Sequence, residues 1–362
     1  MGIAQPGPGL YVHDERVLDD LGRYVAPLGR RVLVVTGRRS DAALAGRLDR
    51  ALSAHGLAYQ KVVYGGECSE EEADRLAALA GPTDVVIGAG GGKVMDLGKL
   101  VAHRLGTPYV TVPTLPSNCA PTTPLAVVYT SAGEHRHTAY FPEPPRVTVV
   151  DDTLLAGSPW PYFVSGLGDT LAKPYEALAS TRGEVGALGQ AGITLAELAA
   201  RLIRETGAAA LDQIRSNQVG RAAHDLIDVI LLVGGMVGGV GGEACRAAAA
   251  HAVHNGLTLL PEMHRVLHGQ KVAYGLLVQQ VLLGEPDEQI RALQLFYRTV
   301  ELPWNWSTLA GRPALPPREL LRPVAEKAVS PRDSMRRLAR PVGPDDVLAA
   351  FERIETLAAT LD

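Results

Sequence analysis

A chain of 362 residues has room for two domains of ordinary size, and 46% hydrophobic against 20% charged residues excludes wholesale disorder. A formal charge of −4 leaves no basic surplus to neutralise a phosphate backbone, so nucleic acid is not an expected partner. Three scattered cysteines, Cys68, Cys119 and Cys245, exclude a disulfide framework or a zinc ribbon and fit a reducing cytoplasm. No charged-then-apolar leader is read at the start, and no internal repeat is found. No membrane span is expected either, because the most apolar stretch, "LIDVILLVGGMVGGVGG", carries an aspartate and six glycines.

The first 150 residues alternate between two periods. "RRVLVVTG" (30–37) is continuous, apolar and β-branched, and predicts a buried strand. Ser40 is expected to cap a helix that runs to about Ala54 and closes at Gly56. Residues 58–66 predict a strand, and "SEEEADRLAALAG" (69–81) a helix with acids in its first turn. "DVVIGAGGG" (84–92) predicts a strand running into a turn, residues 93–106 a helix, and "PYVTVPT" a strand. Residues 125–141 fall into two strand-like halves around "SAG", which predicts a hairpin, and "PPRVTVVDD" (144–152) is a last strand. Strands alternating with helices imply a parallel sheet covered on both faces, a Rossmann-like α/β domain.

Helical patterning dominates beyond Asp152, over roughly 167–180, 185–206, 221–238, 243–256, 268–283, 286–299, 317–329 and 344–361. The expected division is an α/β domain at 1–155 and an all-α domain at 156–362. A cleft between two such halves is where ligand sites prefer to form.

"GAGGGKVMDLGK" (88–99) follows a buried strand and opens a helix. Glycines admit a ligand to contact distance, and a helix N-terminus offers free N–H groups and a positive dipole end, which together suit a diphosphate. Gly90, Gly91, Gly92 and Lys93 are the candidates, with Lys99 adding charge nearby. The spacing is neither G-x-G-x-x-G nor a Walker motif, so a tight structural turn is the alternative. The first strand ends in Gly37, Arg38 and Arg39, where an acid would suit a bare ribose. Guanidinium groups suit a 2′-phosphate, so NADP is expected over NAD; two solvated surface arginines are the alternative.

Four of ten histidines fall in "AAAAHAVHNGLTLLPEMHRVLHGQKVAYG" (247–275), within small apolar residues. His251 and His254 lie three apart on one helix, and His268 opens the next. With Asp169 in "SGLGDTLAKPYEA" (165–177) they form a candidate set for a divalent ion with one open position. Any one of these histidines alone would be a hydrogen-bonded core residue. His264 is expected in a loop.

The motifs "GAGGGKVMDLGK", "VPTLPSNCAP", "GLGDTLA", "AHAVHNG" and "HGQKVAYG" together resemble the glycerol-dehydrogenase branch of the iron-containing alcohol dehydrogenase superfamily, from about residue 30 to 283. That resemblance implies a dehydroquinate-synthase-like architecture, a homo-oligomer, a nicotinamide dinucleotide and one divalent ion, whether zinc, iron, nickel or manganese. It implies Asp169, His254 and His268 as ligands, with His251 outside the set as a positioning or structural residue. It also implies cofactor contacts at Asp96, Thr114, Ser117, Leu125, Val127 and Tyr129. Two departures from the glycerol pattern stand out. Cys119 occupies a place where the branch carries an aspartate for a polyol hydroxyl, and Lys173 stands one helical turn after Asp169. Both features are similar to the hydroxycarboxylate dehydrogenase A group, which reduces 2-oxo acids. Cys119, Lys173 and His251 are therefore expected to line the substrate pocket, and Lys173 to meet a carboxylate. A solvated Lys173 is the alternative, and Pro174 is expected to bend its helix and reshape the pocket.

These features imply hydride transfer to the carbonyl carbon of a 2-oxo acid or related ketone, the proton coming from water on the ion or through His251. A polyol dehydrogenase, a dehydroquinate-synthase-like cyclase and a non-catalytic binding protein are the alternatives. Intact Asp169, His254 and His268 weigh against the last.

Overall fold

Alternation of side chains along continuous apolar strands divides the first core. The computed structural model describes residues 3–131, 133–181 and 185–361; the centre of the expected hairpin turn, Ala132, lies outside them. The strands are β1 (Leu10–Asp14), β2 (Arg31–Gly37), β3 (Ala58–Tyr64), β4 (Val85–Gly90), β5 (Tyr109–Pro113), β6 (Leu125–Tyr129), β7 (His135–Tyr140) and β8 (Val147–Asp151). Six of them form a parallel sheet in the order β1-β8-β5-β4-β2-β3, and β6 and β7 pair antiparallel as the expected hairpin. Val32, Val34, Val85 and Ile87 bury one face of the sheet, while Leu33, Val35 and Val86 bury the other.

The helices around the sheet are α1 (Leu21–Val25), α2 (Arg38–Leu44), α3 (Arg47–Ala54), α4 (Glu70–Leu79), α5 (Gly92–Leu105) and α6 (Asp152–Ala156). Ser69 caps α4 as expected, its hydroxyl accepting from the Glu72 amide at 3.2 Å. Ser40 does not cap. Helix α2 already starts at Arg38, and the chain breaks at Ala45 and Gly46, both left-handed, before restarting as α3. The break lets Arg47 grip the buried Asp151 at 2.8 and 3.1 Å, a bidentate pair that a single continuous helix would displace. Strand β1 escapes sequence detection because it is short, polar and half-exposed at the sheet edge.

Beyond these lie α7 (Trp160–Thr181), α8 (Ala187–Arg215), α9 (Arg221–Asp228), α10 (Gly234–Gly241), α11 (Ala249–Leu257), α12 (His268–Leu283), α13 (Asp287–Thr299), α14 (Trp306–Ala310), α15 (Arg318–Ala328) and α16 (Pro344–Ala358). A π-turn at Val229–Val233 joins α9 to α10. The joined helix, Arg221–Gly241, is 21 residues long with a mean hydropathy of 1.6 in its most apolar window. That is enough to cross a membrane by length and composition, contrary to the sequence-based expectation, which counted only the apolar run. Yet 61% of the window is buried within the fold, as befits a core helix.

The chain forms two compact units. One comprises Gln5–Trp160 and Asp212–Gly235; the other comprises Met1–Ala4, Pro161–Leu211 and Met236–Asp362. The segment 212–235 thus packs with the sheet, although it lies far beyond residue 155. A polar network holds it there. His13 Nε2 meets Asp152 Oδ1 at 2.7 Å and His13 Nδ1 meets Asp228 Oδ1 at 2.6 Å. His224 Nδ1 meets Asp152 Oδ2 at 2.8 Å, and Tyr11 donates to Asp228 Oδ1 at 2.8 Å.

His13, Asp152 and His224 have convergent ligand atoms, but the geometry is that of an ionic cluster. Spacings of 2.6–2.8 Å are hydrogen bonds to carboxylate, and the two imidazoles stack at 3.9 Å and 4°, so their in-plane lone pairs do not share a centre.

Burial alone would lower the His13 pKa, but its hydrogen bonds to the carboxylates of Asp152 and Asp228 outweigh that and push it up to about 9. A raised native pKa stabilises fully below the unfolded value of about 6.5 and stops stabilising once pH has risen through about 9. The thermal unfolding midpoint, followed by circular dichroism, is therefore expected to fall from about pH 6.5 to 9. His13→Asn should lower the midpoint at pH 6 and flatten that slope, and an unchanged slope would contradict the assignment.

Candidate active site

Three helices of the second unit approach one another more closely than ordinary side chains allow. A Cβ on Gly269 would overlap the Ser165 carbonyl oxygen, and one on Gly168 would lie 2.5 Å from the Gly269 oxygen. The "GLGD" and "HG" glycines thus bring α7 and α12 into backbone contact, fastened by the Gly269 amide donating to Ser165 Oγ at 2.9 Å. Gly275 meets the Ala250 carbonyl in the same way, and the alanines before His251 keep α11 close to α12.

That packing makes Asp169, His251 and His268 converge, with one ligand atom from each within 4.8 Å of the others. His268 Nε2 lies 3.2 Å and His251 Nε2 3.4 Å from Asp169 Oδ1. These spacings match the edge of a tetrahedron, about 3.3–3.4 Å, for metal bonds of about 2.0–2.1 Å. The donor set therefore fits a divalent ion. His254 differs from its expected place. Its Nε2 faces His268 Nδ1 at 3.0 Å rather than joining Asp169, and its Nδ1 meets Asn255 Oδ1 at 3.0 Å. Asn255 in turn donates to both oxygens of Asp333 at 3.1 and 3.2 Å. His251, expected outside the ligand set, stands inside the convergent group instead.

Glu176, which the sequence reading missed, explains the aim of His251. This fully buried carboxylate meets His251 Nδ1 at 2.7 Å through Oε2. Its Oε1 accepts from the amides of Ala248 and His251 at 2.7 and 3.0 Å. The available signal was its position seven residues after Asp169, two turns along the same helix face.

Burial alone would raise the Asp169 carboxyl, but Lys173 and the hydrogen bonds with His251 and His268 hold it well below the usual range. Burial alone would lower His251, yet Glu176 and Asp169 raise it to about 10. Burial pushes His254 well down, so it is neutral. A cation arriving at His251 Nε2 thus competes with a proton there.

Lys173 is buried, not solvated, with Nζ 3.9 Å from Asp169 Oδ2. Pro174 sits well inside α7 and lines a shallow hollow of about 220 Å³ with Glu197 and Arg204 of α8. At 3.6 residues per turn, five residues place its ring on a different face of the helix from Asp169. His264 lies in the 3₁₀ turn Pro261–Arg265.

In the sheet unit, Gly37 ends β2 and Gly90 ends β4, and the two strands are direct neighbours. The chain leaves β2 toward β3 on one side and returns to β4 on the other, which makes this a topological switch point. Gly91 precedes the first residue of α5, Gly92, whose free N–H groups open at the same end. A Cβ on Gly90 would lie 2.9 Å from Ser40 Oγ, so the two turns touch. Arg38 and Arg39 are exposed there.

Other expected cofactor residues have structural partners. Lys93 pairs with Glu67 at 2.5 Å. Asp96 holds Lys99 at 3.0 Å and the Val127 amide at 3.0 Å, tying α5 to the hairpin. Leu125, Val127 and Tyr129 share one face of β6, opposite the core residues Ala126 and Val128. The Thr114 amide donates to the Gly90 carbonyl at 3.0 Å, and Ser117 is half-buried in the loop that follows. Cys119 begins the 3₁₀ turn Ala120–Thr122 of the sheet unit, beside Gly235.

Comparison with known proteins agrees with this architecture. The family described as iron-containing alcohol dehydrogenase matches residues 8–152. Hydroxycarboxylate dehydrogenase A of Escherichia coli is 36% identical over 360 residues, covering 99% of this chain and 96% of that protein. A glycerol dehydrogenase of Escherichia coli is 35% identical, with 95% of this chain and 94% of that one covered. The crystal structure of a probable glycerol dehydrogenase from Sinorhizobium meliloti superposes with a TM-score of 0.89 at 30% identity, covering 99% of this chain and all of that one. The chain belongs to the iron-containing alcohol dehydrogenase family and is an oxidoreductase.

Proposed function

We propose that this oxidoreductase interconverts a 2-oxo acid, or a related ketone, and its hydroxy acid, with a nicotinamide dinucleotide and one divalent ion held by Asp169, His251 and His268. The observation that carries the reading is the convergent donor set at 3.2 and 3.4 Å with the buried Lys173 amine beside it. When bound, the ion draws electron density from a carbonyl oxygen and the dinucleotide supplies or accepts the hydride. Asp169 offsets the ion's charge, and the two imidazoles fix its position. Lys173 attracts the substrate carboxylate from a dry environment, where a charge pair is stronger than in water. The outer nitrogen of His251 faces a buried carboxylate, so a proton path through that ring leads to no solvent. The reading keeps NADP as the preferred dinucleotide, on the two exposed arginines beyond β2. It also keeps a cytoplasmic homo-oligomer acting on small molecules, in keeping with three free cysteines.

A polyol dehydrogenase is the second reading, favoured by the nearly equal identity to a glycerol dehydrogenase. Parallel assays of 2-oxoglutarate reduction and glycerol oxidation separate the two. Turnover of glycerol alone would sink the oxo-acid reading.

EDTA treatment is expected to abolish turnover, and a divalent cation to restore it. Asp169→Asn should lower turnover at least about 100-fold, by removing a charged ligand whose loss weakens the site. Full activity in rigorously metal-free protein would refute the ion's role. Lys173→Met should raise the KM for a 2-oxo acid about tenfold, roughly 1.4 kcal/mol, and leave that for an uncharged ketone nearly unchanged. A similar rise for both would remove Lys173 from carboxylate recognition. For Arg38→Ala, steady-state kinetics should show a larger KM increase for NADPH than for NADH.

A further inference from the structure

We propose that Glu176 is the positioning residue that selects which nitrogen of His251 is offered to the ion. The inference rests on the proposed ligand set and concerns a residue on the far side of that set. Glu176 has no solvent exposure, and both of its oxygens are engaged. Oε1 takes the two amides at the start of α11, from Ala248 at 2.7 Å and His251 at 3.0 Å. Oε2 faces His251 Nδ1 at 2.7 Å. A carboxylate has no proton of its own to donate, so the proton of this contact belongs to Nδ1. With the Nδ1 proton held by Glu176, Nε2, the atom 3.4 Å from Asp169 Oδ1, is the nitrogen whose proton an arriving ion displaces and whose lone pair it takes. One side chain therefore sets both the backbone position of His251 and the tautomer of its ring.

The arrangement differs from that around His268, whose Nδ1 faces the imidazole of His254 at 3.0 Å and not a carboxylate. A carboxylate behind one ring and an imidazole behind the other makes His251 the more electron-rich of the two nitrogen donors.

Glu176→Gln separates this role from simple capping. The glutamine oxygen must still take the two backbone amides, which leaves the NH₂ group facing Nδ1. An NH₂ group only donates, so Nδ1 must become the acceptor and the proton moves to Nε2, where it blocks the ion. Keeping the ring as it was would instead leave buried donors facing each other.

The experiment measures Zn²⁺ affinity of the full-length metal-free protein by competition with a chromophoric chelator, for the unsubstituted chain and for Glu176→Gln. It records the visible spectrum of each with Co²⁺ and the thermal midpoint of each without metal. The expected result is Zn²⁺ binding weaker by about 10–100-fold in Glu176→Gln, with a changed Co²⁺ spectrum and a nearly unchanged metal-free midpoint. Equal Zn²⁺ affinities and identical Co²⁺ spectra would overturn the inference and leave Glu176 a cap for α11. Failure of the unsubstituted chain to take up one ion would overturn the proposed ligand set and this inference with it. Should Glu176→Gln not fold, ¹⁵N NMR of the imidazoles in the zinc-loaded unsubstituted protein decides. A proton on His251 Nδ1 supports the assignment, and zinc on Nδ1 overturns it.

Discussion

The helical unit depends on contacts that leave no room for a Cβ. Gly168 against Gly269 and Gly275 against Ala250 let α7, α11 and α12 meet with their main chains touching. The three polar donors then converge because their backbones are already close, not because their side chains reach. Shape precedes chemistry here: any larger residue at Gly269 would separate α7 from α12 and move His268 away from Asp169.

The same logic divides the glycines of the sheet unit. "GAGGGKVMDLGK" looks like one ligand motif, but its members do two jobs. Gly88 and Gly98 make space for Tyr109, whose hydroxyl donates to the Met95 carbonyl at 2.9 Å. Gly90, Gly91 and Gly92 form the turn at the sheet's switch point. Composition alone does not separate close packing from ligand access, because both require the missing side chain.

Much of the architecture was legible from periodicity. The continuous apolar strands β2, β4, β5 and β8 and the capped helix α4 stand where the pattern puts them, and α12 matches to the residue. Edge strand β1 and the break between α2 and α3 were not legible, since one lacks an apolar pattern and the other answers to Arg47 and Asp151. The same holds for the packing of 212–235 with the sheet, which rests on His13 meeting Asp152 and Asp228, 139 and 215 positions away. At the site, Asp169 and His268 were legible from motifs. Spacing offered His251 and His254 equally, and only the contact of one with Glu176 and of the other with His268 tells their roles apart. Glu176 stayed hidden because a lone glutamate in an apolar helix carries no motif.

Asp169 and His268 stand 99 residues apart in the chain. On the proposed ligand set, an ion shared by them would work as a clasp between distant stretches, one that an unfolded chain does not close. Loading and unloading that clasp tunes how easily α7, α11 and α12 separate. On that reading, the cation supply of the surroundings would set how long the helical unit withstands heat and proteases.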